Sequence, residues 1–251
     1  MRALVAASVV ALVCVGALAG WFLLRDDAKA AKHRAAPVTT TTTAPAKPAP
    51  AVTATVKVPE ITAYQDAVET SSAVTKLSDK TEYGLPRTFL VTDQTSHPGW
   101  FNVLLPIRPN GSSGWIKASD VTLGSSDYEI RIELGAHHLT LLKLGQPVLE
   151  SGIVIGKDNT PTPPGKFYVT DPLDLHSQPN AGYGVFALGI SGYSNVLTSF
   201  KGGPGQLAVH GTNDPSQIGQ DISNGCVRVP NDAIEKIAAQ APLGTPVTIV
   251  A

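Results

Sequence analysis

A mostly β fold with one or two helices is what the sequence predicts, and three observations lead there. The 251 residues include 23 Gly and 20 Pro, while charged residues make up only 16%, against roughly 25% in ordinary soluble domains. Short apolar runs bounded by Gly, Pro or Asn recur from residue 88 onward, the pattern of strands separated by turns. Helical periodicity is convincing in one place only. Between Asp232 and Ala241, Ile234, Ile237, Ala238 and Ala241 recur at i, i+3, i+4 and i+7. Asn231 is placed to cap that helix and Pro242 to end it.

Taken in order, the chain divides into four parts. Residues 1–34 are a signal or membrane anchor: Ala3 to Leu24 carries no charge, and 22 residues at 1.5 Å each could span the roughly 30 Å of a hydrocarbon core. Ala17-Leu18-Ala19 offers a cleavage site, but Gly20 to Leu24 continues the apolar run past it, which favours an anchor. Arg2 precedes the segment, and Arg25, Lys29, Lys32 and Arg34 follow it, so charge alone does not orient it. Cys14 follows Leu12-Val13, without the small neighbour of a lipid-modification site, and reads as an apolar residue. Residues 35–59, with Thr39 to Thr43 unbroken and then Ala, Pro, Lys and Val, lack aromatic residues and read as an extended spacer.

Residues 60–124 form a small β-barrel domain. Runs at 88–91, 100–105 and 114–117 are separated by Pro-Gly and Asn-Gly-Ser-Ser-Gly turns, and Phe101, Val103 and Leu105 alternate along one buried face. Residues 127–251 are a second, larger domain with strands at 129–134, 138–142, 148–155, 166–170, 185–190 and 206–210.

Composition removes several classes of function. With 19 Lys+Arg against 20 Asp+Glu and no basic run interleaved with aromatics, nucleic acid is excluded as a partner. Beyond Cys14 the chain carries only Cys226, so no disulfide framework exists there, and neither a C-x-x-C pair nor H-E-x-x-H is present. His137 and His138 are adjacent on an expected strand and point to opposite faces, which argues against joint metal ligation. His33, His97 and His176 have no partner at useful spacing.

The chemistry concentrates in His210-Gly211-Thr212 and Ile222-Ser223-Asn224-Gly225-Cys226-Val227-Arg228. A cysteine with a histidine 16 residues before it pairs a thiol nucleophile with a base. A free thiol with a pKa near 8.5 is only about 3% thiolate at pH 7, and predominant ionisation needs roughly 2 kcal/mol from a neighbour such as imidazolium. His210 can supply that and later protonate a leaving amine. Gly225 permits a tight backbone approach, adjacent N–H groups offer an oxyanion hole, and Arg228 can hold loop or substrate carboxylates.

These segments, with Thr160-Pro161-Thr162-Pro163-Pro164-Gly165-Lys166-Phe167 upstream, resemble the L,D-transpeptidase catalytic domain of the YkuD type across about 127–250. The stretch from Gly99-Trp100 to Trp115-Ile116-Lys117-Ala118 resembles bacterial wall-associated domains of the Src-homology 3 type. The first resemblance implies a β-rich catalytic domain that acts in cell-wall biogenesis and needs no metal or organic cofactor. Its cysteine attacks a peptidoglycan tetrapeptide stem at the diamino acid carbonyl, releases D-alanine, and passes the acyl group to a second stem's amine. Carried to this chain, Cys226 is the nucleophile, His210 the base and then acid, Gly225 and Cys226 the oxyanion donors with Ser223 beside them, and Arg228 the motif's arginine. Asn224, Gly211, Tyr183 and Ser191 are the expected substrate contacts, and β-lactams of the carbapenem type the expected covalent inhibitors. Asn224 departs from the common Ser-His-Gly-Cys pattern, and either a backbone carbonyl or Ser223 can orient His210. An L,D-carboxypeptidase, with water as acceptor, and a non-catalytic wall-binding protein are the competing readings.

Overall fold

The computed structural model describes residues 48–178 and 182–251. The anchor, Cys14, His33 and most of the expected spacer therefore lie outside the described residues. Among those described, no helix is long and apolar enough to cross a membrane.

Seven strands come first: β1 (Ala51–Val56), β2 (Glu60–Tyr64), β3 (Ala73–Ser78), β4 (Thr88–Asp93), β5 (Trp100–Leu104), β6 (Ser113–Lys117) and β7 (Val121–Ser126). They form one sheet in the order β3-β2-β6-β5-β4-β1-β7, with β3 and β7 at its edges. Val103 and Leu105 are buried in its core and Phe101 packs against them, as their alternation requires. Trp100 and Trp115 stay half-buried, ringed by Tyr64 at 5.6 Å and His97 at 4.5 Å respectively. One boundary differs from the sequence reading. Residues 51–56, assigned by composition to the spacer, are β1, paired with β4 and β7 and burying Ala54 and Val56.

The remaining strands are β8 (Tyr128–Glu133), β9 (His138–Lys143), β10 (Gln146–Gly152), β11 (Ile155–Gly156), β12 (Gly165–Asp174), β13 (Phe186–Tyr193), β14 (Gln206–Thr212), β15 (Asp221–Ser223), β16 (Val227–Pro230) and β17 (Pro246–Val250). Eight of them make a mixed sheet, β10-β9-β8-β17-β12-β13-β14-β16, and β11 pairs with β15 in a two-stranded parallel ladder. The run expected as one strand at 148–155 is split, because Ile153 N–H turns aside to His137 C=O and Val154 pairs with Arg228. The core consists of inward residues such as Ile130, Leu139, Val169, Leu188, Val209, Val227 and Val247. Helix α1 (Asn231–Ala238) lays Ala233, Ile234 and Ile237 onto it.

That helix begins at Asn231, directly after Pro230, and has no side-chain cap. The asparagine is used elsewhere: its Oδ1 accepts the Val185 N–H at 3.2 Å, and its Nδ2 donates to Asn213 at 3.2 Å. Beyond Ala238, Ala239 N–H still bonds Glu235 C=O, and the end tightens where Gln240 N–H and Ala241 N–H both reach Ile237 C=O.

The described residues all belong to one compact unit. Tyr168 of β12 is fully buried within the core of the seven-stranded sheet. The Arg108 guanidinium donates to the carbonyls of Ser194, Leu197 and Pro204 at 3.0–3.1 Å, and Asn110 brackets the Tyr193 backbone. The small sheet is thus fixed against the β12–β14 side of the larger one.

Candidate active site

Strand register builds the site. β14 and β16 are parallel, with Val209 opposite Val227 and His210 opposite Arg228. Paired residues share a face and alternate residues return to it. Ala208, His210 and Arg228 therefore line one face, and Cys226, two residues before Arg228, emerges on the same side. Val209, Val227 and Val229 face the core. His210 and Cys226 line one cavity of about 140 Å³, together with Tyr183, Lys201, Asn224 and Arg228.

His210 is 2% exposed. Its Nδ1 lies 2.7 Å from the Gly211 carbonyl; a carbonyl only accepts, so Nδ1 carries the hydrogen and Nε2 keeps its lone pair. A backbone carbonyl, not Ser223, orients the ring, and Tyr183 packs edge-on at 4.9 Å. Burial pushes the imidazole down to about 4, helped by the Arg228 charge and opposed by the Gly211 carbonyl. Burial likewise raises the Cys226 thiol, against a backbone hydrogen bond with Ala208 and the charges of Arg228 and Lys201. Desolvation thus disfavours the charged form of both groups, against the ionised pair that the sequence offered.

The same burial makes folding stability pH-dependent. His210 is depressed from 6.5 to about 4, so between those values the unfolded chain binds the extra proton and stability falls on acidification, by about 3 kcal/mol in full. Urea unfolding at pH 7 and pH 4.5 should show a His210→Gln variant losing about 2–3 kcal/mol less than the parent; equal losses would contradict the buried neutral imidazole. His176 contributes with the opposite sign. Asp174 first and then Glu235 raise it, so its stabilisation is present in acid and fades as the pH rises through its folded value.

The loop bearing Cys226 is braced from several sides. Gly225 has φ +112°, a region closed to most side chains. Ser223 is fully buried, and its hydroxyl accepts the Gly225 N–H at 3.1 Å and donates to the Cys226 carbonyl at 2.6 Å. The Thr160 hydroxyl donates to the Ser223 carbonyl at 3.2 Å, and the Thr162 hydroxyl to the Gly225 carbonyl at 2.9 Å while accepting the Gly156 N–H. The Thr-Pro-Thr-Pro segment is thus a clamp on the cysteine loop. Replacing Thr162 by Val keeps its shape but leaves two buried backbone groups unpaired, a cost of about 2–4 kcal/mol. Chemical denaturation tests this, and a loss below about 0.5 kcal/mol would show that the clamp carries no load.

The other expected site residues divide. Arg228 lines the cavity, donates Nη1 to Gln217 at 3.0 Å, and leaves Nε buried without a partner. Asn224 and Tyr183 also line it. Ser223 and the Gly225 N–H, expected in the chemistry, are spent on each other and hold the loop. Gly211 contributes its carbonyl to His210 and has no room for a side chain, since an ideal Cβ would lie 2.2 Å from Asn231 Oδ1. Ser191 is 5% exposed and accepts the Tyr168 N–H at 3.2 Å, away from the cavity. His137 sits in a turn at φ +48° and not on a strand, with its Nε2 on Asp221 of β15. His176, expected to be unpartnered, lies between Asp174 at 2.7 Å and Glu235 at 2.8 Å. Among the described residues no group of three His, Cys, Asp or Glu is arranged to hold a metal.

Sequence reasoning missed the far side of the cleft. A second cavity of about 280 Å³ also reaches Cys226, lined by Leu173, Phe200, Gln206, Leu207 and, from the small sheet, Tyr83. No motif marks these positions.

Residues 127–249 match the family model of the L,D-transpeptidase catalytic domain, YkuD. This segment is a YkuD-family L,D-transpeptidase catalytic domain. Over 122 residues, 49% of the chain, it is 32% identical to the YkuD protein of Bacillus subtilis strain 168, and over 124 residues it is 32% identical to YkuD of Bacillus licheniformis. Each match spans 65% of the relative's length. Among solved structures, the Enterococcus faecium L,D-transpeptidase catalytic domain aligns with a TM-score of 0.36 at 25% identity, covering 50% of this chain and 98% of that one. A Mycobacterium tuberculosis L,D-transpeptidase aligns with a TM-score of 0.42 at 14% identity, covering 66% and 90%. The YkuD domain accounts for β8 to β17, and the seven-stranded sheet lies outside the matched residues.

Proposed function

We propose that the chain is a peptidoglycan L,D-transpeptidase that uses Cys226 as nucleophile. The observation that carries the reading is the β14–β16 register, which sets His210 and Cys226 on one face over one cavity. Nε2 of His210 takes the thiol proton as Sγ attacks the diamino acid carbonyl. The Cys226 N–H holds the oxyanion, the Gly225 N–H being already bonded to Ser223. Collapse breaks the bond to D-alanine, whose amine receives the proton from His210, and leaves a thioester. The second stem's amine then attacks the thioester, loses its proton to His210, and restores the thiol. The unpaired Arg228 Nε faces a carboxylate of the stem.

The cleft continues past Cys226 in two directions, towards Asn224 and Arg228 and towards Leu173 and Tyr83, which supports a second stem as acceptor. The non-catalytic reading rested on Asn224 and on the small β-barrel domain; as to the first, none of the braces on the cysteine loop runs through Asn224. The uncharged stretch from Ala3 to Leu24 supports an extracytoplasmic enzyme held at the membrane or released from it. A carbapenem should add its mass to the tryptic peptide containing Cys226, one equivalent per chain. Labelling elsewhere, or none, overturns the nucleophile assignment.

A further inference from the structure

Polar atoms left buried and unpaired mark where a ligand's polar groups belong, because such atoms are otherwise nearly always bonded. Among the described residues four side-chain atoms are in this condition: Arg228 Nε, Thr81 Oγ1, Tyr168 OH and Asp171 Oδ1. Arg228 belongs to the cavity at Cys226. Thr81 and Asp171 line a different cavity, of about 120 Å³, where loop 79–87 of the small sheet meets β12 and β14. Tyr83 and Gln206 line both that cavity and the apolar one reaching Cys226, so the cleft continues from the sulfur to Asp171.

Asp171 is 2% exposed, and Gln206 occupies only its Oδ2, at 3.2 Å. It pairs across β13 with Gly189, which pairs in turn with Ala208 beside Cys226. An ideal Cβ on Gly189 would lie 3.2 Å from Asp171 Oδ2, so glycine keeps the floor open along this row. The row covers three strand spacings, about 14 Å. Arg87 also lines this cavity, with Nε and Nη2 fixed on the Ser78 and Lys80 carbonyls. Glu82 adds a further negative charge.

We propose that this cavity binds the far end of the acyl donor's diamino acid, and that this end carries an ammonium and a carboxylate on one carbon, as 2,6-diaminopimelate does. The proposal rests on Cys226 being the acylated nucleophile. Asp171 takes the ammonium and Arg87 the carboxylate. From sulfur through an extended side chain to a terminal hydrogen bond is about 12 Å, which matches the row. A lysine side chain ends in an ammonium alone and leaves Arg87 unanswered. The small sheet thereby supplies part of the substrate site through Thr81, Tyr83 and Arg87.

The test uses the full chain and two disaccharide-tetrapeptides that differ only in diaminopimelate or lysine at the third position. D-Alanine release should favour the diaminopimelate donor in kcat/KM by about 10- to 100-fold. Asp171→Asn, which keeps an acceptor for Gln206, and Arg87→Gln should each erase most of that preference through KM. Acylation of Cys226 by a carbapenem, which lacks the side chain, should stay within about twofold. Equal use of the two donors, a preference that survives both variants, or carbapenem acylation falling in parallel would overturn the subsite. If neither donor is turned over, the transpeptidase reading fails by itself. Calorimetric binding of both tetrapeptides to a Cys226→Ala variant then decides the subsite, and equal affinities would refute it.

Discussion

Replacing Cys226 by Ala should reduce D-alanine release from a tetrapeptide to background, a loss on the order of 10⁴- to 10⁶-fold, while the chain stays folded. The chemistry has no second nucleophile to draw on, since Cys226 is the free cysteine of the described residues and Ser223, the nearest hydroxyl in the loop, already donates to the Cys226 carbonyl. The fold survives because Sγ contributes only a contact with the Ala208 backbone. The loop's braces run through Ser223, Thr160 and Thr162 to backbone carbonyls, which alanine leaves in place. Unfolding free energy within about 1 kcal/mol of the parent is the companion expectation. Residual turnover above a few per cent in a clean variant contradicts the assignment.

The second large effect is at His210. A His210→Gln variant should acylate about 10²- to 10⁴-fold more slowly, because the thiol proton loses its acceptor. Desolvation of both groups adds a sharper expectation. Burial depresses the imidazole to about 4 and raises the thiol, so thiolate absorbance near 240 nm should be absent at pH 7 in both parent and variant. An ion pair of the kind many cysteine enzymes maintain would show that absorbance in the parent and lose it in the variant. A proton transferred only as the carbonyl is attacked also spares the thiol, because a resting thiolate is the form most open to oxidation.

How far the sequence disclosed this arrangement depends on the range of the interaction. Strands such as 128–133, 186–193 and 206–212 were legible because Gly, Pro and Asn bound them, and Cys226 and His210 because their loop carries a dense local motif. β1 was hidden: Ala-Val-Thr-Ala-Thr-Val lacks aromatics, and its small apolar side chains find their core only when β4 and β7 flank them. His176 looked unpartnered although Asp174 stands two residues before it, and its second carboxylate, Glu235, lies 59 residues away. The opposite pulls on His210 and Cys226 were illegible for a different reason, being set by burial and not by residue type. Asp171 carried no motif of its own. It stands in a strand run beside Pro172, and only the register across Gly189 relates it to Cys226.

The central claim, that this chain joins two peptidoglycan stems through a Cys226 thioester, is tested most directly by mass spectrometry of the products from purified disaccharide-tetrapeptides. Dimers lacking one D-alanine, formed by the parent chain and absent with Cys226→Ala, are the predicted result. Tripeptide monomers without dimers would mean that water takes the acceptor's place, and unchanged tetrapeptide would contradict the account.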